Sequence, residues 1–457
     1  MLQSNDDTIT ALATSATPSA VGIIRVSGIR CKDVLKTCFK SSLDPIQNPR
    51  KLITGHLIDN KSNAVLDHCL AVYMPAPKTF TGEDIVEFQI HGSPVLAKQI
   101  LNVLYKLGIR PANPGEFSER AFINNKIDLT QAEAIASIIS SSSEAELKIS
   151  EEQLAGKLTN VINKIGEPLR DILAEMEANI DFPEEDVEAE NINIIKNKLN
   201  ASLSELKNLI ATYNYGSVIK DGLKVLIFGR PNVGKSSLLN YFLRSERAIV
   251  TSISGTTRDL IEETANINGF KFVFCDTAGI TESNDQVEKI GIQRAKDKIK
   301  WADLVLLTLS VENLDELKFW ETELSEVKQP IWLVINKTDL KNNTSPLKIS
   351  TIWNSPVFQI SVLKNIGLNT LEESLIKHIQ EKEVTSSVTL TNERHRNCLE
   401  NAQKSLINTI DAISNNMPIE IISSELRIGL NSLEEIIGRT YTEDILGRIF
   451  AKFCIGK

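Results

Sequence analysis

Four short stretches place glycine, lysine, hydroxyl and carboxylate groups at spacings suited to one charged ligand: Gly229-Arg-Pro-Asn-Val-Gly-Lys-Ser236, Thr256-Thr-Arg-Asp259, Asp276-Thr-Ala-Gly279 and Asn336-Lys-Thr-Asp339. In the first, Gly229 and Gly234 free backbone N–H groups to converge on phosphates at the start of a helix. Lys235 is then placed for the β- and γ-phosphates, and the Ser236 hydroxyl for Mg2+. The Asp339 carboxylate can accept hydrogen bonds from N1–H and the exocyclic amine of guanine. Adenine offers no such donor pair, so the sequence selects GTP over ATP. Asp276 can hold the Mg2+ shell, Gly279 can offer its N–H to the γ-phosphate, and Thr257, 21 residues after Ser236, suits Mg2+ in the triphosphate state. The expected nucleotide contacts are Asn232, Val233, Gly234, Lys235, Ser236 and Ser237, then Thr251, Ser252, Ile253, Ser254, Gly255, Thr256 and Thr257, then Asp276, Thr277, Ala278 and Gly279, and finally Asn336, Lys337 and Asp339.

One absence bears on catalysis. Many small GTPases carry a glutamine directly after Asp-x-x-Gly to orient the attacking water, and here that position is Ile280. Glu282, Asp285 and Glu288 are the nearby carboxylates able to hold a water, and a bound cation could replace an arginine finger. Composition alone does not choose among the three acids.

These groups need rigid elements to aim them. The apolar run Val225–Phe228 leads straight into the glycine loop, Phe272–Cys275 precedes Asp276, and Ile331–Ile335 precedes Asn336, which is the strand-then-loop order of a Ras-like P-loop domain. Upstream, Val21–Ser27 and Ile85–Ile90 read as strands punctuated by Pro75, Pro77, Gly82, Gly92 and Pro94, giving an α+β domain. From about Glu116 the periodicity becomes helical. Ile195, Leu199, Leu203, Leu206 and Ile210 share one face, a helix break is expected near Pro183, and the helical pattern ends near Tyr215-Gly216. After the polar connector 381–389, helices resume from Asn392. The nucleotide domain is therefore expected as an insertion in a helical domain, with boundaries at 1–120, 121–215, 216–379 and 380–457.

The 457 residues suffice for several domains, and a formal charge of −9 argues against coating nucleic acid by bulk electrostatics. A structured RNA then has to be met by a local basic patch. Six scattered cysteines without a C-x-x-C pair indicate neither zinc nor a disulfide framework and fit a reducing compartment. No run of about 18 apolar residues occurs, so no membrane partner is expected and the chain reads as cytoplasmic.

Thr81-Gly-Glu-Asp84 with Val86-Glu87, Pro114-Gly-Glu-Phe-Ser-Glu-Arg-Ala-Phe122, Asp181-Phe-Pro-Glu-Glu185 and the terminal Phe453-Cys-Ile-Gly-Lys457 closely resemble the tRNA modification GTPase family called MnmE or TrmE, over essentially the whole chain. The resemblance implies an N-terminal tetrahydrofolate-binding and dimerisation domain, a helical domain built from central and C-terminal segments, and an inserted G domain. It implies a homodimer that joins the FAD-dependent partner MnmG (GidA) in a heterotetramer. The implied product is a carboxymethylaminomethyl or aminomethyl group on C5 of the wobble uridine of certain tRNAs. The implied source of the one-carbon unit is 5,10-methylenetetrahydrofolate or 5-formyltetrahydrofolate.

By motif, Arg25, Glu87, Lys126 and Lys457 correspond to the family's folate contacts, and Cys454 to its terminal cysteine, a candidate for chemistry on the base. Glu288 corresponds to the water-activating glutamate. Asn232, Thr251, Ile253 and Thr256 correspond to a K+ site whose ion supplies the charge of an arginine finger. Two places depart from the family pattern: Thr17-Pro-Ser-Ala-Val-Gly22 has fewer glycines, and Ser361-Val-Leu363 stands for Ser-Ala-Lys. The competing reading is a regulatory GTPase switch in ribosome assembly. Such proteins carry a compact RNA-binding module after the G domain, whereas this chain has helices and Phe453-Cys-Ile-Gly-Lys457 there.

Overall fold

The structure, a computed structural model, describes residues 7–181, 192–245, 262–276, 298–340, 354–384, 386 and 388–456. The chain divides into two compact units: residues 1–136, 153–167 and 427–457 form one, and 137–152 and 168–426 form the other.

The first unit is built on a seven-stranded sheet in the order β3-β4-β5-β6-β2-β1-β7, with β1 Ile9–Leu12, β2 Val21–Ser27, β3 Phe39–Lys40, β4 Ile53–Ile58, β5 Val65–Met74, β6 Ile85–His91 and β7 Arg110–Pro111. Its pairings are antiparallel except β1 with β7. Burial alternates along β4 from Ile53 to Leu57, as the two-residue side-chain period of a half-covered sheet requires. Ile24, Val26, Phe88 and Ile90 face a core that takes Val34 and Leu35 from the Cys31–Cys38 helix, and Ile100 and Leu104 from the Pro94–Lys106 helix. A second cluster joins Phe122 and Leu129 to Leu446, Ile449, Phe450 and Phe453, so the end of the chain folds back on residues 116–136.

The motifs Thr81–Asp84 and Pro114–Phe122 do structural work here. Arg120, buried on the Glu116–Ile123 helix, donates to Glu83 at 3.0 Å, to Glu116 at 3.0 Å and to Asp7, while Ser27 Oγ donates to Glu83 Oε2 at 2.7 Å. Asn124 Nδ2 donates to the Thr81 carbonyl at 2.6 Å. Paired and hydrogen-bonded in this way, the charges can be buried without leaving orphan groups.

The second unit carries a six-stranded sheet in the order β13-β12-β11-β8-β10-β9, with β8 Leu223–Phe228, β9 Glu262–Ile267, β10 Phe270–Asp276, β11 Leu304–Ser310, β12 Ile331–Asn336 and β13 Val357–Gln359. All its pairings are parallel except β9 with β10. Every residue of β11 and β12 is buried, which explains the apolar runs Leu304–Leu307 and Ile331–Ile335: a parallel strand covered on both faces has no polar side to show. Asn268 and Gly269, with φ of 49° and 82°, turn β9 into β10 as a two-residue hairpin.

The Ile192–Ala211 helix precedes this sheet in sequence and packs against the Glu393–Ser414 helix that follows it, so the nucleotide sheet is an insertion between two partnered helices. On the first of these helices the buried stripe is Ile195, Leu199, Ser202, Leu203, Leu206 and Leu209. Leu209 is the last buried position of the stripe, and Ile210 beside it is half-buried. The helical pattern also runs beyond Tyr215-Gly216. A helix covers Tyr213–Asp221 and stops at Gly222, whose φ is 92°. Gly216 stays inside it because the Leu390 backbone crosses there: a Cβ at 216 would lie 1.9 Å from the Leu390 carbonyl oxygen. The break expected near Pro183 lies outside the described residues. No helix among the described residues is long and apolar enough to cross a membrane.

Candidate functional site

In the second unit β8 is flanked by β10 on one side and β11 on the other, which puts its carboxyl end at a switch point of the strand order, where open α/β sheets bind ligands in a crevice. Into it the sequence delivers the 229–236 loop after β8, Asp276 at the end of β10 and Asn336 at the end of β12.

The loop adopts the backbone that a phosphate cradle needs. Gly229, Asn232 and Gly234 have φ of 147°, 63° and 100°. A Cβ at 229 would lie 2.2 Å from the Thr308 carbonyl, and one at 234 would lie 2.2 Å from Asn336 Nδ2, so both positions exclude any side chain. Asparagine is among the residues that tolerate the left-handed region, which fits position 232. Lys235 opens the Lys235–Ser245 helix and is almost wholly buried, with its Nζ donating to the Arg230 carbonyl at 2.9 Å. Burial holds its ammonium below the usual lysine range, and the Asp276 carboxylate opposes that shift. Ser236 Oγ donates to Asp276 Oδ2 at 2.8 Å, bringing together a hydroxyl and a carboxylate, hard oxygen donors of the type Mg2+ prefers.

The Asn336–Asp339 segment is tied to the 229–236 loop. Buried Asn336 donates from Nδ2 to the Val233 carbonyl at 3.0 Å and accepts from the Val362 N–H at 3.3 Å. Ser361 Oγ donates to Asp339 Oδ1 at 2.5 Å and accepts from the Lys364 N–H at 3.1 Å, while Thr338 Oγ1 donates to the Ile360 carbonyl at 2.9 Å. Lys337 sits at φ 62° between these anchored neighbours. The Ser361 hydroxyl is a further polar group of the site that the sequence motifs did not mark. Its signal was a serine at the start of the segment that follows β13. Leu363, which stands where the family motif has lysine, is exposed.

Among the expected contacts, Asn232, Val233, Gly234, Lys235, Ser236, Ser237, Asp276, Asn336, Lys337 and Asp339 are described, and the bonds above join the three segments that carry them. Thr251 to Thr257, Thr277, Ala278, Gly279 and Glu288 lie outside the described residues. Of the four K+ positions only Asn232 is therefore described.

In the first unit, Arg25 on β2 and Glu87 on β6 occupy partner positions in the ladder, and Arg25 Nε donates to Glu87 Oε1 at 2.7 Å. Arg25 NH1 also donates to the Gly456 carbonyl at 3.4 Å, and the guanidinium lies 5.6 Å from the centre of the Phe117 ring. The terminal turn is held by close approach: with φ at 96°, a Cβ at 456 would lie 2.4 Å from the Leu12 carbonyl. Cys454 is exposed, while the other five cysteines are buried. Lys126 shares no hydrogen bond or ion pair with the Arg25–Glu87 cluster among the described residues and lines a separate cavity. Lys457 lies outside the described residues. No group of three or more His, Cys, Asp or Glu able to hold a metal occurs among the described residues.

Comparison with known proteins adds relatives to this geometry. Residues 129–454 match the family model described as MnmE helical domain, and residues 8–126 match the GTP-binding protein TrmE N-terminus. The chain is 40% identical over 423 residues to the tRNA modification GTPase MnmE of Alkaliphilus oremlandii, covering 91% of each chain. It is 39% identical to the protein of the same name from Natranaerobius thermophilus, over 90% of this chain and 91% of that one. With the Streptococcus mutans protein of that name it shares 38% identity over 466 aligned residues and the full length of both.

Proposed function

The chain belongs to the family of the tRNA modification GTPase MnmE, and from that premise we propose that it hydrolyses GTP to drive a modification of tRNA. The observation that carries the nucleotide half is the Asn336 tie, which fixes the phosphate loop and the guanine-reading segment as one body. Asp339, oriented by Ser361, accepts from the guanine edge. Lys235, already desolvated, gains its counter-charge when phosphates replace the Arg230 carbonyl as its partner. Ser236 and Asp276 would hold Mg2+, which when bound neutralises charge on the phosphate oxygens.

For catalysis, Glu288 takes the place of the absent glutamine by accepting a hydrogen bond from the attacking water. Asn232, Thr251, Ile253 and Thr256 would hold K+, which supplies positive charge beside the phosphates. In the N-terminal domain, Arg25 is committed to Glu87 and the Gly456 carbonyl. Its part is to hold the Glu87 carboxylate toward the donor edge of a folate pterin, leaving Lys126 and Lys457 for the glutamyl carboxylates. Folate, when bound, supplies the one-carbon unit.

In this reading the protein is a cytoplasmic homodimer that works with an MnmG partner on the wobble uridine, with Cys454 exposed beside the Gly115 turn as the thiol available to the base. Hydrolysis assayed for the full chain and for Lys235→Ala tests the nucleotide half. GTP turnover by the parent that falls at least a hundredfold in the variant supports it, and equal turnover sinks it.

A further inference from the structure

Between Gly28 and Lys51 the chain carries six lysines and arginines against two aspartates, in a protein whose formal charge is −9. Folding gathers part of this stretch, with the loop that holds Lys78, around Tyr73, and we propose that the basic surface so formed binds the phosphate backbone of the tRNA substrate. The inference rests on the tRNA reading and names where on the first unit the RNA is met.

Three segments build the surface. Tyr73, near the end of β5, belongs to the same core as Val34 and Leu35 of the Cys31–Cys38 helix, so it lies on the helix-covered side of the sheet. From that helix Lys32 Nζ comes to 5.9 Å from the centre of the Tyr73 ring. Lys36 follows four residues on, on the same side of the helix and exposed like Lys32, while Val34, Leu35 and Cys38 are buried. In the bend before β4 the Arg50 N–H donates to the Tyr73 carbonyl at 2.8 Å, and the Arg50 guanidinium donates to the Lys78 carbonyl in the loop after β5. Arg50, Lys51 and Lys78 are all exposed.

Little negative charge answers these cations. The Asp84 carboxylate is already engaged: its Oδ2 accepts from the Tyr73 hydroxyl at 2.7 Å and lies 4.0 Å from Lys32 Nζ, and its Oδ1 accepts from the Ala76 N–H at 2.8 Å. Asp44 accepts from the Ile46 N–H at 2.8 Å, and Asp33 lies about 100° round the helix from Lys32. Lys36, Arg50, Lys51 and Lys78 have no carboxylate partner among the described residues. Uncompensated cations on segments bonded to one another suit a polyanion of fixed shape, because each phosphate they neutralise releases counterions and their placement fixes how the backbone lies. An acidic chain meets RNA only through such a local surface.

The folate-facing cluster lies on the other side of the sheet. Along β2, Ile24 and Val26 face the core that receives the helix, so Arg25 between them projects to the opposite face, where Glu87 is its ladder partner. Lys126 and the other residues assigned to folate take no part in the RNA contacts.

The test is fluorescence-anisotropy titration of the full-length protein with a tRNA transcript carrying an unmodified wobble uridine, over a range of salt. The triple variant Lys36→Gln/Lys51→Gln/Lys78→Gln removes charge without breaking a side-chain bond among the described residues. It should bind about tenfold or more weakly, and the slope of log affinity against log salt should fall by about 1 for each lysine. Lys328→Gln, at an exposed lysine of the second unit, should leave affinity and slope unchanged. GTP hydrolysis and the thermal midpoint should match the parent in both variants, which shows that they are folded.

Parent-like affinity and salt slope in the folded triple variant would overturn the RNA surface while leaving the tRNA reading intact. A slope reduced as much per lysine by Lys328→Gln would make the attraction one of bulk charge and overturn the surface as well. A parent protein that hydrolyses GTP but binds no tRNA would overturn both readings. A parallel titration with 5-formyltetrahydrofolate separates the other anionic ligand: weakened folate binding with unchanged tRNA binding in the triple variant would give the surface to folate and overturn the proposal.

Discussion

Asn336 Nδ2 donates to the Val233 carbonyl at 3.0 Å, so the residue that ends β12 also holds the phosphate loop that follows β8. The same side chain accepts from the Val362 N–H. Asn336→Ala breaks both bonds and leaves a buried carbonyl and a partly buried N–H without partners, a loss of about 1–3 kcal/mol. GTP affinity measured by calorimetry should fall about tenfold or more. The thermal midpoint without nucleotide should fall as well, because the tie exists without ligand.

In the proposed site base choice rests on Asp339, which Ser361 Oγ holds. Asp339→Asn presents a donor where guanine presents donors, and should lower kcat/KM for GTP by a hundredfold or more, while xanthosine triphosphate, with a carbonyl at that edge, becomes the better substrate. Ser361→Ala leaves the carboxylate in place but unoriented. Its cost is that of a hydrogen bond to a charged group, about 1.5–3 kcal/mol at most, with no change in base preference. Competition assays between the two nucleotides check both variants.

With Ile280 in the position of the glutamine, hydrolysis should depend on Glu288 and on a monovalent cation. Glu288→Ala should lower kcat about 10²–10⁴-fold with little effect on nucleotide affinity. Replacing K+ by Na+ should slow the parent strongly, and Asn232→Ala should slow it in K+ while removing much of the difference between the two salts. Single-turnover hydrolysis in matched ionic strength measures these effects.

The Arg120 network makes the N-terminal unit acid-sensitive. Burial raises the Glu116 carboxyl, but hydrogen bonds from Arg110, the Asn113 N–H and Arg120 outweigh it and hold the pKa below the ordinary glutamate value. A depressed carboxylate contributes its full stability above the unfolded pKa, about 4.3 for glutamate, and loses it as pH falls through the folded value. Arg120→Met should cost about 3–5 kcal/mol near neutral pH by leaving carboxylates short of a buried cation. The gap to the parent in urea unfolding should narrow as pH falls below about 4, where those carboxylates take up protons.

The nucleotide half was legible because its chemistry is local. Each motif follows an apolar run that the fold turns into a buried parallel strand, and the loop residues are fixed by backbone needs, as at Gly229 and Gly234. Pairings between residues far apart in sequence were not legible. Arg25 and Glu87 were each readable as ligand contacts, but their 2.7 Å ion pair depends on the register of β2 with β6, which no single-sequence spacing states. Glu83, Glu116 and Arg120 marked the family resemblance, and only the fold shows them as a buried ion network. The helix through Gly216 was hidden for a related reason: the glycine answers to Leu390, which lies far along the chain.

We propose that GTP hydrolysis at the site that holds Lys235 and Asp339 drives modification of the wobble uridine. Mass spectrometry of tRNA nucleosides from cells lacking this protein, complemented by the parent or by Lys235→Ala, tests it most directly. Loss of aminomethyl-type uridines in the deletion, restored by the parent and not by Lys235→Ala, is the expected result. Unchanged aminomethyl-type uridines in the deletion, or full restoration by Lys235→Ala, would contradict it.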